Sequence, residues 1–265
     1  MRVVSLVPSL TEAVAATGPG LLVGVTDWCT HPAGLAAERI GGTKNPDVAR
    51  VVALAPDLVI ANEEENRPED LAALAAAGLD VLVTEVRTVD QAFAELERVL
   101  VAGCGLARPA WLDAAEEAWA AVRPGPERRA VVPIWRRPWM VLGRDTFAGD
   151  LLARLGVHNV HAGHAERYPR IAIEELNASG ADLVVLPDEP YRFGPDDGPE
   201  AFPGLPAALV DGRHLTWYGP SLATAPTALG TALGIDVRPS MPSARHLTHG
   251  VGHQAPDVGH PAPDR

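Results

Sequence analysis

At 265 residues the chain is long enough for one large domain or two of about 100–150 residues. Hydrophobic residues make up 47 % and charged residues 21 %, as in an ordinary globular protein, and no run of about 18 apolar residues offers a membrane span. A net charge of −12 and a pI near 5.1 argue against nucleic acid as a partner, because that binding rests on cationic neutralisation of phosphates.

The chain opens on a short apolar β run, Val3 to Val7, ended by Pro8. Ser9-x-x-Glu12 then has the spacing of a capping box, which predicts that the two side chains close the start of a helix. No basic head and apolar stretch of about 7–15 residues precedes it, so no secretory signal is expected and the expected location is cytoplasmic. The only cysteines, Cys29 and Cys104, lie far apart and suit a reducing compartment.

Leu21 to Thr26 predicts a second strand, Asp47 to Leu54 a short helix, and the continuous apolar run Leu58 to Ala61 a parallel strand buried on both faces. A helix opening at Arg67-Pro68 and stopping at Gly78, then a strand over Val81 to Thr84, complete a β-α-β-α order. Val89 to Val101 reads as helical. A second helical stretch over 107–122, with Pro109 in its first turn, would be long enough to cross between two lobes.

The pattern then returns, with strands at Ala130 to Ile134 and Met140 to Leu142 and a helix capped by Asp145 or Thr146. Ile173 to Ala178 predicts a short helix. The phrase Asp182-Leu183-Val184 repeats Asp57-Leu58-Val59 at the head of an apolar strand. The expected fold is therefore α/β: two Rossmann-like lobes with parallel-rich sheets, joined by a long backbone helix, with a ligand cleft between them. The expected divisions are 1–103, a linking helix over 104–126, 127–237, and a disordered tail over 238–265 carrying His246, His249, His253 and His260.

In such a fold a ligand lies outside the carboxyl ends of the strands, so the segments after each strand are the candidates. They carry Trp28, Cys29 and His31; Thr43 and Lys44; Glu63, Glu64 and Asn66; Trp135, Arg136 and Trp139; His161 and Tyr168; Asp188, Glu189 and Tyr191; and Trp217 with Tyr218. Large rings in loops point to ligand contact as well as to packing. Cys29-x-His31 reads either as part of a metal site, with His161 or Glu63 to complete it, or as a buried thiol beside a loop histidine. The glutamate run 63–65 reads either as ligands or as a solvated face. His161 is the candidate for a single axial bond to a haem or corrinoid. No Gly-x-Ser-x-Gly elbow, His-Glu-x-x-His, phosphate loop or dinucleotide fingerprint is found, so no catalytic residue is nominated and an enzyme is not expected.

Arg2 to Glu12, Leu22 to Thr26, Val51 to Ile60, His158-Asn159-Val160-His161 and Tyr168 to Leu176 together resemble the helical-backbone type of ABC-importer substrate-binding protein, over about residues 2–236. The resemblance is to the cobalamin-binding receptors and their iron-siderophore and haem relatives. It implies the two-lobed fold, non-catalytic binding of a metal-bearing organic ligand, and ligand contacts near Trp28, Trp135 to Trp139, His161 and Trp217-Tyr218. The ligand would be a corrinoid, haem, ferric siderophore or bound metal. Such receptors carry one acidic docking residue on each lobe for the permease; Glu174 matches the second position, and Ala49 stands at the first. Losing one of two charge pairs weakens steering to a permease. The expectation is a monomeric, intracellular cleft-binding protein. The alternatives are an importer component whose leader lies upstream of Met1, and a cytosolic metallochaperone or enzyme working through Cys29, His31, Glu63 and His161.

Overall fold

A computed structural model describes residues 1–235; the expected tail over 238–265, with its histidines, lies outside the described residues. The first half contains β1 (Val3–Ser5), α1 (Pro8–Thr17), β2 (Leu22–Val25), β3 (Glu38–Arg39), the hairpin β4 (Gly41–Gly42) and β5 (Asn45–Pro46), α2 (Val48–Ala53), β6 (Leu58–Asn62), α3 (Pro68–Ala76), β7 (Val81–Thr84) and α4 (Val89–Glu97). β3, β2, β1, β6 and β7 form, in that order, a five-stranded parallel sheet.

α4 runs on into a π-helical segment, Arg98–Gly103, and α5 (Ala110–Ala120) follows. The second half contains β8 (Arg128–Val131), β9 (Pro133–Arg136), β10 (Trp139–Val141), α6 (Phe147–Arg154), β11 (Val157–Asn159), α7 (Ile173–Asn177), β12 (Leu183–Pro187), β13 (Ala207–Val210), α8 (Gly212–Thr216) and α9 (Ala225–Leu233). β11, β8, β12 and β13 make a second parallel sheet, while β9 and β10 form a separate antiparallel pair. The single strand expected over Ala130 to Ile134 is thus two strands, and Trp135 to Trp139 form a hairpin rather than a free loop.

Every residue of β6 and of β12 is buried, as the unbroken apolar runs required. Alternation assigns the two faces of the first sheet to different cores. Val4, Val59 and Ala61 pack with Val51 and Leu74 of the helices on one side. Val3, Leu58 and Ile60 belong instead to a cluster that continues through Leu96, Leu100, Leu112 and Trp119 to Ala130 and Val185 of the second sheet. One apolar core therefore runs between the halves.

The repeated Asp-Leu-Val phrase has a structural counterpart. Asp57 accepts from the Arg2 amide at 2.6 Å through its carboxylate and donates its own amide to the Arg2 carbonyl at 2.8 Å. Asp182 makes the same reciprocal clip with Arg129, at 2.7 Å each way. Each aspartate locks the entry of a buried strand to the adjacent central strand.

α5 is shorter than the stretch expected over 107–122, and Pro109 is its N-cap in extended conformation rather than a residue of its first turn. Its two tryptophans tie it to both halves: Trp111 Nε1 donates to Thr17 Oγ1 and Trp119 Nε1 to the Leu222 carbonyl, both at 3.1 Å. The capping box is a second correction. Pro8 is already inside α1, Val7 is the N-cap, and no side chain caps the helix. Ser9 and Glu12 are buried residues of α1 with partners in the other half of the molecule.

Candidate functional site

The loops at the carboxyl ends of the two sheets face one another. The post-β6 loop is built by its asparagines: Asn62 Oδ1 accepts from the amides of Glu64 and Glu65 at 2.9 and 3.2 Å. Asn66, 2 % exposed, donates to the carbonyls of Leu6 at 3.3 Å and Thr43 at 2.9 Å. Asn66 is a structural brace, not a group available at the surface. The carboxylates of Glu63 and Glu64 project from this loop toward the second half, where Arg167 Nη1 meets Glu63 at 3.4 Å and Nη2 meets Glu64 at 3.2 Å. Arg167 is anchored on its own side by donating Nε to the Asp145 carbonyl at 3.1 Å. Arg87 Nη2 joins Glu63 from behind at 3.3 Å. The Tyr168 phenol lies near Glu64 and is pushed far up by burial first and by that carboxylate second. The glutamate run is therefore neither a metal cage nor a plain solvated face, but the lobe-one side of an ionic clasp.

Deeper in, Arg213 of α8 grips Glu12 of α1, one of its bonds, from Nε to Oε2, measuring 3.1 Å. The Tyr218 hydroxyl reaches Ser9 and Thr84 of the first half, and its ring meets Phe147 edge-on at 5.7 Å. Gly219 lies so close to α1 that a Cβ there would come within 3.1 Å of the Ser9 carbonyl. Beside this anchor, His31 meets the Trp217 ring edge-on at 5.5 Å, and Trp217 Nε1 donates to Glu189 at 2.9 Å.

Several residues expected to line the cleft are thus used in packing. Cys29 is fully buried, 3.0 Å from Thr11 Oγ1 and 3.1 Å from Thr26 Oγ1, and burial pushes its thiol up, which disfavours the thiolate that a metal needs. Among the described residues no three His, Cys, Asp or Glu side chains converge, so Cys29, His31 and His161 are not brought together. Trp217 and Tyr218 are buried. Trp139 stacks on Phe193 at 6.0 Å, while Tyr191 donates to Asp197 at 2.7 Å and packs against Trp135. Asp188 accepts from the Gly212 amide at 2.6 Å.

The rings left to solvent are Trp28, 66 % exposed in the loop after β2, and Trp135, 42 % exposed in β9. Thr43 is part-buried, and Lys44, which donates to the Glu64 carbonyl, is exposed. His161 is half-buried, its Nε2 has no partner among the described residues, and burial holds its pKa below the usual histidine value. A neutral imidazole with a free nitrogen is the form that binds a metal centre. Open space lies on the second half: a cavity of about 550 Å3 bordered by Met140, His164, Glu166, Tyr168 and Arg170, and one of about 460 Å3 that shares Arg170 with it. Arg167, Arg87 and Arg213 carry no mark in the sequence, because nothing local distinguishes an arginine whose partner is across the molecule, and Glu12 is read there only as half of a capping box.

Glu189 carries a pH consequence. Burial raises its pKa first, Asp188 and Asp211 add to this, and the Trp217 bond only partly opposes it. A carboxyl whose folded pKa is raised contributes stability that is full below its unfolded value and is lost as pH rises through the folded one. Glu189→Gln, which keeps an acceptor for Trp217, is expected to stabilise the protein at pH 7 and to have no such effect near pH 4, read as the difference in urea midpoint at the two pH values.

No family model matches the chain. The vitamin B12-binding protein of Vibrio cholerae serotype O1 is 25 % identical over 203 residues, covering 73 % of this chain and 72 % of that protein. Among solved structures, the periplasmic vitamin B12-binding protein of Vibrio cholerae superposes with a TM-score of 0.73 at 21 % identity, over 88 % of this chain and 96 % of that one. A periplasmic heme-binding protein from Pseudomonas aeruginosa gives 0.70 at 26 % identity, over 90 % and 94 %. These relatives are binding proteins by name, in keeping with the expectation of a binder rather than an enzyme. The chain is similar in sequence to vitamin B12-binding proteins and has the two-lobed α/β fold expected from its sequence.

Proposed function

We propose that the chain binds a metal-bearing organic ligand of the corrinoid, haem or ferric-siderophore class between its two halves, without chemical turnover. The observation that carries this reading is the meeting of strand-end loops from both sheets at Glu63, Glu64, Arg167 and Tyr168, beside cavities of about 550 and 460 Å3. Both are open pockets on the second half; the larger borders the meeting point of the two halves at Tyr168, and the smaller adjoins it at Arg170. The names of the homologues supply the ligand class. His161, neutral and with a free Nε2, is the residue we assign to an axial bond.

The test is titration of the purified protein with cyanocobalamin, haem and a ferric catecholate siderophore, followed by tryptophan fluorescence and thermal shift. One of the three is expected to quench fluorescence saturably and raise Tm. For haem, His161→Ala is expected to alter the Soret band. Failure of all three to bind would overturn the reading.

An importer role is a second reading. Glu174 is exposed in the first turn of α7, at the position that α2 fills with the exposed Ala49, so a permease would find an acidic docking residue on one half only.

A further inference from the structure

Lys44 is the only lysine among the 22 Lys and Arg residues of the chain; arginine supplies the rest. It lies in the turn between β4 and β5 and is exposed. Its ammonium donates to the Glu64 carbonyl. The Glu64 amide is taken by Asn62 Oδ1 at 2.9 Å. Both main-chain groups of Glu64 are therefore held, and its carboxylate is presented to Arg167 Nη2 at 3.2 Å. The two holds differ in kind. Asn62 is 2 % exposed, and its own Nδ2 donates to the Thr84 carbonyl and hydroxyl, both at 3.1 Å, so it is fixed in the core of the loop. Lys44 is the hold that solvent reaches. The turn that carries it does not depend on the ammonium, because Asn66 Nδ2 donates to the Thr43 carbonyl at 2.9 Å and Arg67 Nε donates to the Lys44 carbonyl. Changing the Lys44 side chain leaves those two bonds in place and removes the hold on Glu64.

We propose that Lys44 is a positioning residue, whose ammonium sets the glutamate loop against Arg167 and so controls how tightly the ionic clasp between the halves closes. An ammonium on a flexible stem serves one carbonyl as a point donor, where a guanidinium would bring a planar fork. Its charge counts as well as its hydrogen bond. Burial raises the pKa of Glu65, the Lys44 charge opposes this, and Glu64 adds to it. With carboxylates at three consecutive positions, a cation on the loop offsets their mutual repulsion. Neutralising Lys44 frees the Glu64 carbonyl and leaves the run more repulsive, so Arg167 and the loop around it are held less well. The effect is felt in the second half, although these bonds of Lys44 all lie in the first. The contacts exist without ligand, so this role goes beyond the binding reading and does not depend on it.

A single lysine allows the test to be made on the wild-type full-length chain, with one sample acetylated and another reductively dimethylated. Acetylation removes the Lys44 charge, dimethylation keeps the charge and one N–H, and both treatments also modify the Met1 amine. Amide hydrogen exchange is then followed by mass spectrometry at pH 7 without ligand. Acetylation is expected to speed exchange over residues 163–170 about three- to fivefold, and dimethylation to leave it unchanged. The Lys44→Arg protein, whose only amine is at Met1, should show no change on acetylation. Lys44→Met should reproduce the acceleration. Combined with Arg167→Ala it should add nothing to the effect of Arg167→Ala alone, because both act on one clasp. The melting temperature of each form checks that it is folded. A brace of the first half alone would loosen residues 41–46 and 62–66 and leave 163–170 unchanged, and that result overturns the proposal. Equal acceleration by acetylation and dimethylation overturns it too, as do effects of Lys44→Met and Arg167→Ala that multiply.

Discussion

Replacing Arg213 by leucine is expected to cost about 2–3 kcal/mol of folding stability, measured by urea denaturation at pH 7. Glu12 shows only 9 % of its side chain to solvent, and Arg213 shows 28 %. Removing the arginine leaves a carboxylate stranded in the base of the cleft, where solvent cannot replace the two lost bonds. Breaking one partner of a fully buried pair costs about 3–5 kcal/mol, and the partial exposure of Arg213 lowers that figure. Glu12→Ala alone should cost less, because the stranded group is then the more exposed cation. The double variant Glu12→Ala/Arg213→Leu should cost less than the sum of the two, which would identify the loss as pairwise. Unfolding should remain a single transition, since the apolar cluster from Ile60 through Leu112 to Val185 joins the halves. A loss below about 1 kcal/mol for Arg213→Leu would show that the pair is not an anchor.

How much of this was legible in the sequence divides along physical lines. Strands such as Leu58–Asn62 and Leu183–Pro187 were read correctly because an unbroken apolar run admits few other structures, and the aspartate heading each run marked the repeat. Of the two helix caps that the sequence offers, Asp145 or Thr146, the structure takes Thr146, and the pair is legible because a cap is a contact between near neighbours. Ser9 and Glu12 failed for the converse reason. Their spacing fits a local capping box, but Pro8 starts the helix one residue earlier, and tertiary partners in α8 and at Tyr218 take both side chains. Aromatics in loops point to ligand contact as well as to packing, and the sequence does not say which ring does which. Trp28 and Trp135 do stay exposed, whereas Trp217 and Tyr218 fill the seam between the halves. The clasp was invisible, since Arg167 and Glu64 are 103 positions apart and no periodicity connects them.

Arg167→Ala is expected to raise the affinity for the ligand identified by titration about five- to tenfold. Arg167 is fixed to the second half through the Asp145 carbonyl and bound to two carboxylates of the first half, so a ligand seated between the halves, as proposed, has to part these contacts. The groups are about one quarter to one third exposed, and each such pair contributes at most about 1 kcal/mol. A ligand that must open both loses that free energy from its apparent affinity, in proportion to the fraction of molecules already open. Glu63→Gln/Glu64→Gln removes the same contacts from the other side and should raise affinity similarly, since Arg87 keeps Glu85 as a partner. Without ligand, amides of residues 163–170 should exchange faster in either variant, because the loop has lost its tether. The two sides of the clasp also separate it from direct recognition. Should Arg167 itself hold an anionic ligand, Arg167→Ala would weaken binding while the glutamine variant still strengthened it. A fall in affinity in the first with a rise in the second would therefore replace the clasp by a ligand contact.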